Sequence, residues 1–382
     1  MESTDTSPLK QPVQRDLRID FFRGLALLMI LIDHVENMLG VSLLSSFTLK
    51  GFGYCDAAEV FVFLSGYLYG IVYSRVYRQY GSLGCFKKSL HRGFGLYLAT
   101  LLTLGCCLAI SIPFAIENVQ ISKHLFLFPL LEAPVKSTAY LLNLFYTPYG
   151  FEILRFYILL FLFLSPALFW LFKRSVALAC LVSFGIYSLS QFFDWSTIPM
   201  AYSQFGRFYF NPLSWQLLFF IGLVIGSKNY DKKSVLIYNA FLKYFALLIV
   251  LCAFYIDFIE PRLFSSNGIV KSPWFHLLAS MQLKQTLGLF RLINFLALAY
   301  YVSSITSSMQ PFWKSKLAFP LVVCGQHPLI VYCLGLVLLY LNVVLFNELS
   351  LGPKWILPFH FIGCGISISV ALAVHQYYKL KN

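Results

Sequence analysis

Long apolar stretches, each about the same length, alternate with short polar ones along the whole chain. A helix needs about 20 apolar residues to cross roughly 30 Å of hydrocarbon. Runs of that kind fall at about 19–40, 57–77, 93–116, 152–173, 175–193, 212–227, 237–257, 286–305, 319–346 and 353–377. The pattern predicts an all-α, polytopic integral membrane protein of about ten transmembrane helices. The run at 212–227 is short and the apolar segment at 125–147 reads as a possible re-entrant piece, and either would change the parity of the count. The expected organisation is a polar N-terminal tail over 1–17, a single transmembrane domain over 18–378 and a short C-terminal tail over 379–382.

Composition agrees, since 59% hydrophobic and 12% charged residues with a mean hydropathy of +0.72 leave too little polar surface to cover a water-soluble fold. The polar tail lacks a basic segment running into a short apolar core, so no cleavable signal peptide is expected. Nine cysteines show no Cys-x-x-Cys spacing and sit mostly in apolar runs, which points to no metal site and no disulfide framework.

Charge sets an orientation. With the N-terminus on the cytoplasmic side, nineteen of the 29 Lys and Arg residues fall there, including the cluster Arg75, Arg78, Lys87, Lys88 and Arg92. The even span count then predicts that both termini are cytoplasmic. The net charge of +13 needs no nucleic-acid partner, because basic loops against an anionic inner leaflet account for most of it.

Ionisable groups inside a span cost several kcal/mol unless they face a cavity or a partner, so each is a functional candidate. The first span has the densest set: Asp20, Arg23, Asp33, His34 and Glu36. Arg23 and His34 are eleven positions apart, which is three turns plus about 20°, so both project from one face about 16 Å apart along the axis. Arg23 lies near the cytoplasmic end, where a guanidinium can grip phosphate or simply snorkel to the headgroups. His34 lies deeper toward the outer face, where an imidazole can take a proton from a hydroxyl or merely bond a neighbouring helix. Asp20 is placed to pair with Arg23, Asn37 shares the face of His34 better than Asp33 does, and Glu36 marks the outer interface. The second span opens with Asp56 and Glu59, three residues apart, which either orient His34 or a sugar hydroxyl or cap the helix. Ser65 and Gly66 are small residues suited to close helix packing. Near the end, Gln326, His327 and Pro328 interrupt an apolar run, as in a broken helix beside a cavity or a polar pair satisfied between helices.

The segment RDLRIDFFRGLALLMILIDH, Arg15 to His34, resembles the opening span of the type 3 membrane acyltransferase superfamily, whose signature is an arginine and a histidine with ten residues between them, matched here by Arg23 and His34. GFGYCDAAEVFVFLSGY (Gly51 to Tyr67), FNPLSWQLLFFIG (Phe210 to Gly222) and CGQHPLIVY (Cys324 to Tyr332) extend the likeness, early, centrally and late, to the OpgC family, whose members succinylate osmoregulated periplasmic glucans. One departure stands out. FEILRFY at 151–157 carries Arg155 where the family tends to have the proline of a leucine-proline pair, in a segment that borders the expected outer face.

The resemblance implies a multi-pass protein of the bacterial inner membrane that takes an acyl group, succinyl by analogy, from cytoplasmic acyl-CoA to a hydroxyl of a periplasmic carbohydrate. It implies acyl-CoA as a substrate with no permanently bound cofactor, with Arg23 toward the donor and His34 at the chemistry; Glu59 or Asp56 is the group expected to fix the tautomer of His34. No glycine-rich nucleotide loop is present, so the donor would be held by Arg23 and the basic segment 75–92. Two other classes carry intramembrane charge: a transporter or flippase of an anionic or sugar-bearing substrate, and an inactive sensor or scaffold on the same fold. No internal repeat pairs the two halves as many transporters do.

Overall fold

A computed structural model of the chain describes residues 15–192, 209–233, 238–264 and 281–381. Lys10, Arg207 and Lys271 of the charge count, and the end residues 193 and 237 of two expected spans, lie outside these. The described residues form helices joined by loops, with no strand among them: α1 (Leu17–Leu39), α2 (Ala57–Ala115), α3 (Val119–His124), α4 (Phe128–Glu132), α5 (Pro134–Leu142), α6 (Glu152–Leu159), α7 (Ser165–Arg174), α8 (Val176–Phe192), α9 (Pro212–Tyr230), α10 (Ala240–Phe264), α11 (Leu289–Thr306), α12 (Gln310–Trp313), α13 (Phe319–Gln326), α14 (Pro328–Glu348) and α15 (Ile356–Lys381).

Among the described residues, five stretches are long and apolar enough to cross a membrane: Ala57–Ala115, Glu152–Arg174, Leu289–Thr306, Pro328–Glu348 and Pro353–Lys381. The sequence pattern gives about ten, and the difference has physical causes. In α1, Arg18, Asp20, Arg23, Asp33 and Glu36 dilute the apolar content. The 59 residues of α2 pass through Gly81, whose φ of 61° and ψ of −162° are not helical. There the chain folds back on itself. Cys85 Sγ lies 3.4 Å from the Tyr73 carbonyl, whereas twelve residues of straight helix would hold the two about 18 Å apart. The segment 125–147 forms only α4 and α5, of 5 and 9 residues, too short to span. Between α6 and α7, residues 160–164 widen into a π-turn just ahead of Pro166, which has no N–H to continue the ladder.

Glycine sets how closely the helices meet. On α2 a Cβ at Gly66 would fall 2.0 Å from the Phe219 carbonyl oxygen and one at Gly70 2.2 Å from that of Leu223. From the α9 side, a Cβ at Gly222 would lie 2.3 Å from the Phe63 oxygen and one at Gly226 2.0 Å from the Tyr67 oxygen. Two small-x-x-x-small stripes thus face each other, the arrangement that lets backbones touch where no hydrophobic force drives association. Gly24 of α1 and Gly325 of α13 repeat the device, with virtual Cβ distances of 1.9 Å to Leu321 O and 1.7 Å to Asp20 O. These contacts fix α1 against the broken helix α13–α14.

Candidate functional site

The Arg23–His34 stripe of α1 faces two cavities. One, of about 320 Å³, is lined by Arg23, Ser65, Tyr73, Lys88, Arg92 and Tyr157 among others. The second, of about 680 Å³, is lined by Asp33, His34, Asn37, Lys50, Tyr149 and Glu152, with Asp56, Lys284 and Arg291. Ile153 of α6 and Tyr332 of α14 line both. A chamber presenting Arg23, Lys88 and Arg92 therefore adjoins, across two side chains, one that presents His34 with the carboxylates Asp33, Asp56 and Glu152 beside the cations Lys50, Lys284 and Arg291.

At the Arg23 end, Nη1 donates to the Gly325 carbonyl at 3.3 Å, and the guanidinium lies 5.6 Å from the centroid of the Phe61 ring. Its Nε is buried with no hydrogen-bond partner among the described residues. Asp20 is not the partner of Arg23. Its carboxylate accepts from Arg15 Nε and Nη2, the latter at 3.0 Å, and from Gln326 Nε2 at 3.5 Å. The reason is register: the close Gly24–Gly325 contact turns Arg23 toward the cavity and leaves Asp20 facing the chain just before α1. The break expected at Gln326–Pro328 is present, with His327 at φ −118° and ψ 50° between α13 and α14. His327 itself turns away from the chamber and stacks on Tyr378 at 5.9 Å, while Pro328 and Leu329 line the chamber wall. Ser65 accepts a hydrogen bond from the Tyr157 hydroxyl at 3.2 Å and lines the same chamber, so it is more than a packing residue.

At the other end His34 is half-buried, its ring 5.6 Å from that of Tyr149 and 6.4 Å from that of Tyr332. Asn37 donates to the Tyr149 hydroxyl at 3.2 Å and accepts from Lys50 at 2.6 Å. Asp33 is buried beside them, with Oδ1 unpartnered among the described residues. Asp56 and Glu59 are occupied elsewhere than at His34. They form a capping box, Ala58 N donating to Asp56 and Asp56 N to Glu59, both at 2.8 Å. They also hold two cations. Lys284 Nζ donates to Asp56 Oδ2, and Arg291 donates from Nε to Glu59 Oε1 at 2.7 Å and from Nη2 to Asp56 Oδ2 at 3.3 Å. Two carboxylates thus meet two cations at the wall of the His34 chamber, and no hydrogen bond joins either carboxylate to the imidazole.

Glu36, expected at the outer interface, packs inside the helix bundle. It is buried, accepts from Ser42 N at 3.1 Å, and lies 3.3 Å from His360 Nε2 of α15. Arg155 is buried within α6, one turn from Glu152 of the chamber wall.

Lys284, Arg291, Ile153 and Tyr332 were not singled out by the sequence pattern. Arg291 had a signal, being the one cation inside the apolar run that became α11. Ile153 and Tyr332 had none, because an apolar residue at a constriction reads like any other.

The OpgC protein family aligns with residues 15–379. No curated relative and no solved structure matches the chain. With nearly every residue from the Arg15 segment to the C-terminal helix inside that match, the chain belongs to the OpgC family.

Proposed function

We propose that the protein is a membrane O-acyltransferase of the inner membrane, which carries an acyl group, succinyl by family analogy, from cytoplasmic acyl-CoA to a hydroxyl of a periplasmic glucan. The observation that supports this best is the pair of chambers meeting at Ile153 and Tyr332, one presenting Arg23, Lys88 and Arg92 and the other His34. Three cations around an apolar cleft suit the phosphates of a nucleotide-linked donor, and the planar fork of arginine suits them best. The polar and aromatic lining of the larger chamber suits a sugar, which offers hydroxyls to Asn37 and Asp33 and apolar faces to Tyr149 and Phe126.

In this reading the thioester carbonyl reaches the junction from the Arg23 side and the acceptor hydroxyl reaches it from the His34 side. His34 takes the hydroxyl proton as the oxygen bonds to the carbonyl carbon. The thiolate of coenzyme A leaves and regains a proton, and the ester stays on the sugar. The Asp56–Glu59–Lys284–Arg291 cluster holds the N-terminus of α2 and the chamber wall in place.

The test is mass spectrometry of envelope glycans from cells with the wild-type protein, with His34→Ala and with none. Acyl-bearing glycan in the first and its loss in the other two is expected, with the variant still inserted in the membrane. Unmodified glycan in all three, or glycan that is acylated but accumulates on the wrong side of the membrane without the protein, would favour transport instead.

A further inference from the structure

Asp56 and Glu59 are committed to Lys284 and Arg291, and a third void also borders His34. It measures about 10 Å³, room for one water, and is bounded by His34, Leu31, Tyr332, Gly335 and Ser367. Among its lining side chains, Tyr332 already donates its hydroxyl to the Gly150 carbonyl at 2.6 Å. Ser367 of α15 is 1% exposed, and its Oγ has no hydrogen-bond partner among the described residues. A hydroxyl buried without a partner is costly, and the usual remedy is an ordered water with two or more polar neighbours.

We infer that Ser367 holds a single water in this void, which hydrogen-bonds the His34 imidazole and fixes the tautomer and ring angle it presents to the large chamber. Ser367 is then a positioning residue that acts through His34. Only the kinetic arm of the inference rests on the acyl-transfer reading. The water bonds one ring nitrogen and leaves the other to face the acceptor, as orienting partners do for working histidines.

The experiment combines nitrogen-15 NMR of histidine-labelled full-length protein in detergent with steady-state transfer from succinyl-CoA. His34 is assigned by the signal missing from His34→Ala. The wild type should show one dominant tautomer. Ser367→Ala should show a mixture and lose about tenfold to a hundredfold in turnover at unchanged donor KM, the scale seen when the orienting partner of a metal-bound histidine is removed. Ser367→Thr, which keeps the hydroxyl, should stay near wild type. Gly335→Ala adds a methyl at the void lining, where its nearest neighbour would be Leu31 Cδ1 at an ordinary 3.7 Å. It should displace the water and reproduce the Ser367→Ala mixture with the serine intact, so the test survives if Ser367→Ala fails to fold. Wild-type tautomer signals in Ser367→Ala or, failing its folding, in Gly335→Ala overturn the inference. A changed tautomer with no transfer by any form, wild type included, keeps the water and removes the acyl-transfer reading.

Discussion

Arg291 Nε lies 2.7 Å from Glu59 Oε1, joining a helix near the end of the chain to the first turn of α2 across 232 residues. Glu59 is 0% exposed and the Arg291 side chain, at the chamber wall, 12%, so the Glu59 carboxylate has no water to fall back on. Breaking such a pair from one side leaves an uncompensated buried charge, at a cost of about 3–5 kcal/mol, whereas replacing both partners by apolar residues is often nearly neutral. Glu59→Leu or Arg291→Met alone should lower the thermal midpoint in detergent sharply, and the double variant should recover most of the loss. Additive losses in the double variant would show that the two side chains act independently.

Arg23 tests the donor side. Lysine keeps the charge but loses the planar fork and its bidentate grip on phosphate. Arg23→Lys should therefore raise the donor KM about tenfold while leaving the thermal midpoint near wild type. An unchanged KM and turnover would reduce Arg23 to an anchor bonded to the Gly325 carbonyl.

Helix contact at Gly66 and solvent- or lipid-facing space at Gly105 make a matched pair. A methyl at Gly66 would meet the Phe219 carbonyl at 2.0 Å, whereas nothing lies within 4 Å of one at Gly105. Gly66→Ala should cost about 1–3 kcal/mol or more by overpacking, and Gly105→Ala should be neutral or better because alanine is the stronger helix former. Thermal unfolding of the two variants side by side decides this.

Periodicity and polarity made the helices and the Arg23–His34 stripe legible. The stripe is a local property, since eleven residues on one helix fix a shared face wherever that helix packs. The partners were not legible. Asp20 sits three residues from Arg23, a pairing distance on a helix surface, yet Arg15 takes it because α13 lies against the face between them. Asp56 and Glu59 carried two readings in the sequence, cap and chemistry, and the capping box is formed while Lys284 and Arg291 supply what no local pattern could. Ser65 read as a packing residue because serine is small. Its bond to Tyr157 depends on a contact 92 residues away.

Orientation is tested by fusion. The basic segment Arg75 to Arg92 surrounds the fold-back at Gly81, and the positive-inside tendency predicts that this segment and both termini are cytoplasmic. A reporter active only in the cytoplasm should work at the C-terminus and in the loop near Gly81, and one active only in the periplasm should fail at both. Periplasmic activity at the C-terminus would overturn the topology, and periplasmic activity at the Gly81 loop, beside Lys88 and Arg92, would reverse the assignment of the two chambers to donor and acceptor.

His34 can serve transfer in two ways, and loss of activity on replacing it does not separate them. As a general base it takes the acceptor proton, a contribution of about 10²–10⁴-fold in rate. As a covalent relay its nitrogen would attack the thioester first, release coenzyme A and pass the acyl group on from an acyl-imidazole. Its position favours the base, because it lines the larger chamber, while the cations suited to the donor lie beyond Ile153 and Tyr332. The distinction appears when the acceptor is withheld. Wild-type protein incubated with acyl-labelled donor and no glucan should carry no stoichiometric label after rapid quenching, and coenzyme A release should show no burst. One label per chain, absent from His34→Gln and chased onto glucan when it is added, would establish the relay. Full product yield from His34→Ala or His34→Gln would remove both schemes and leave the imidazole a packing role against Tyr149 and Tyr332.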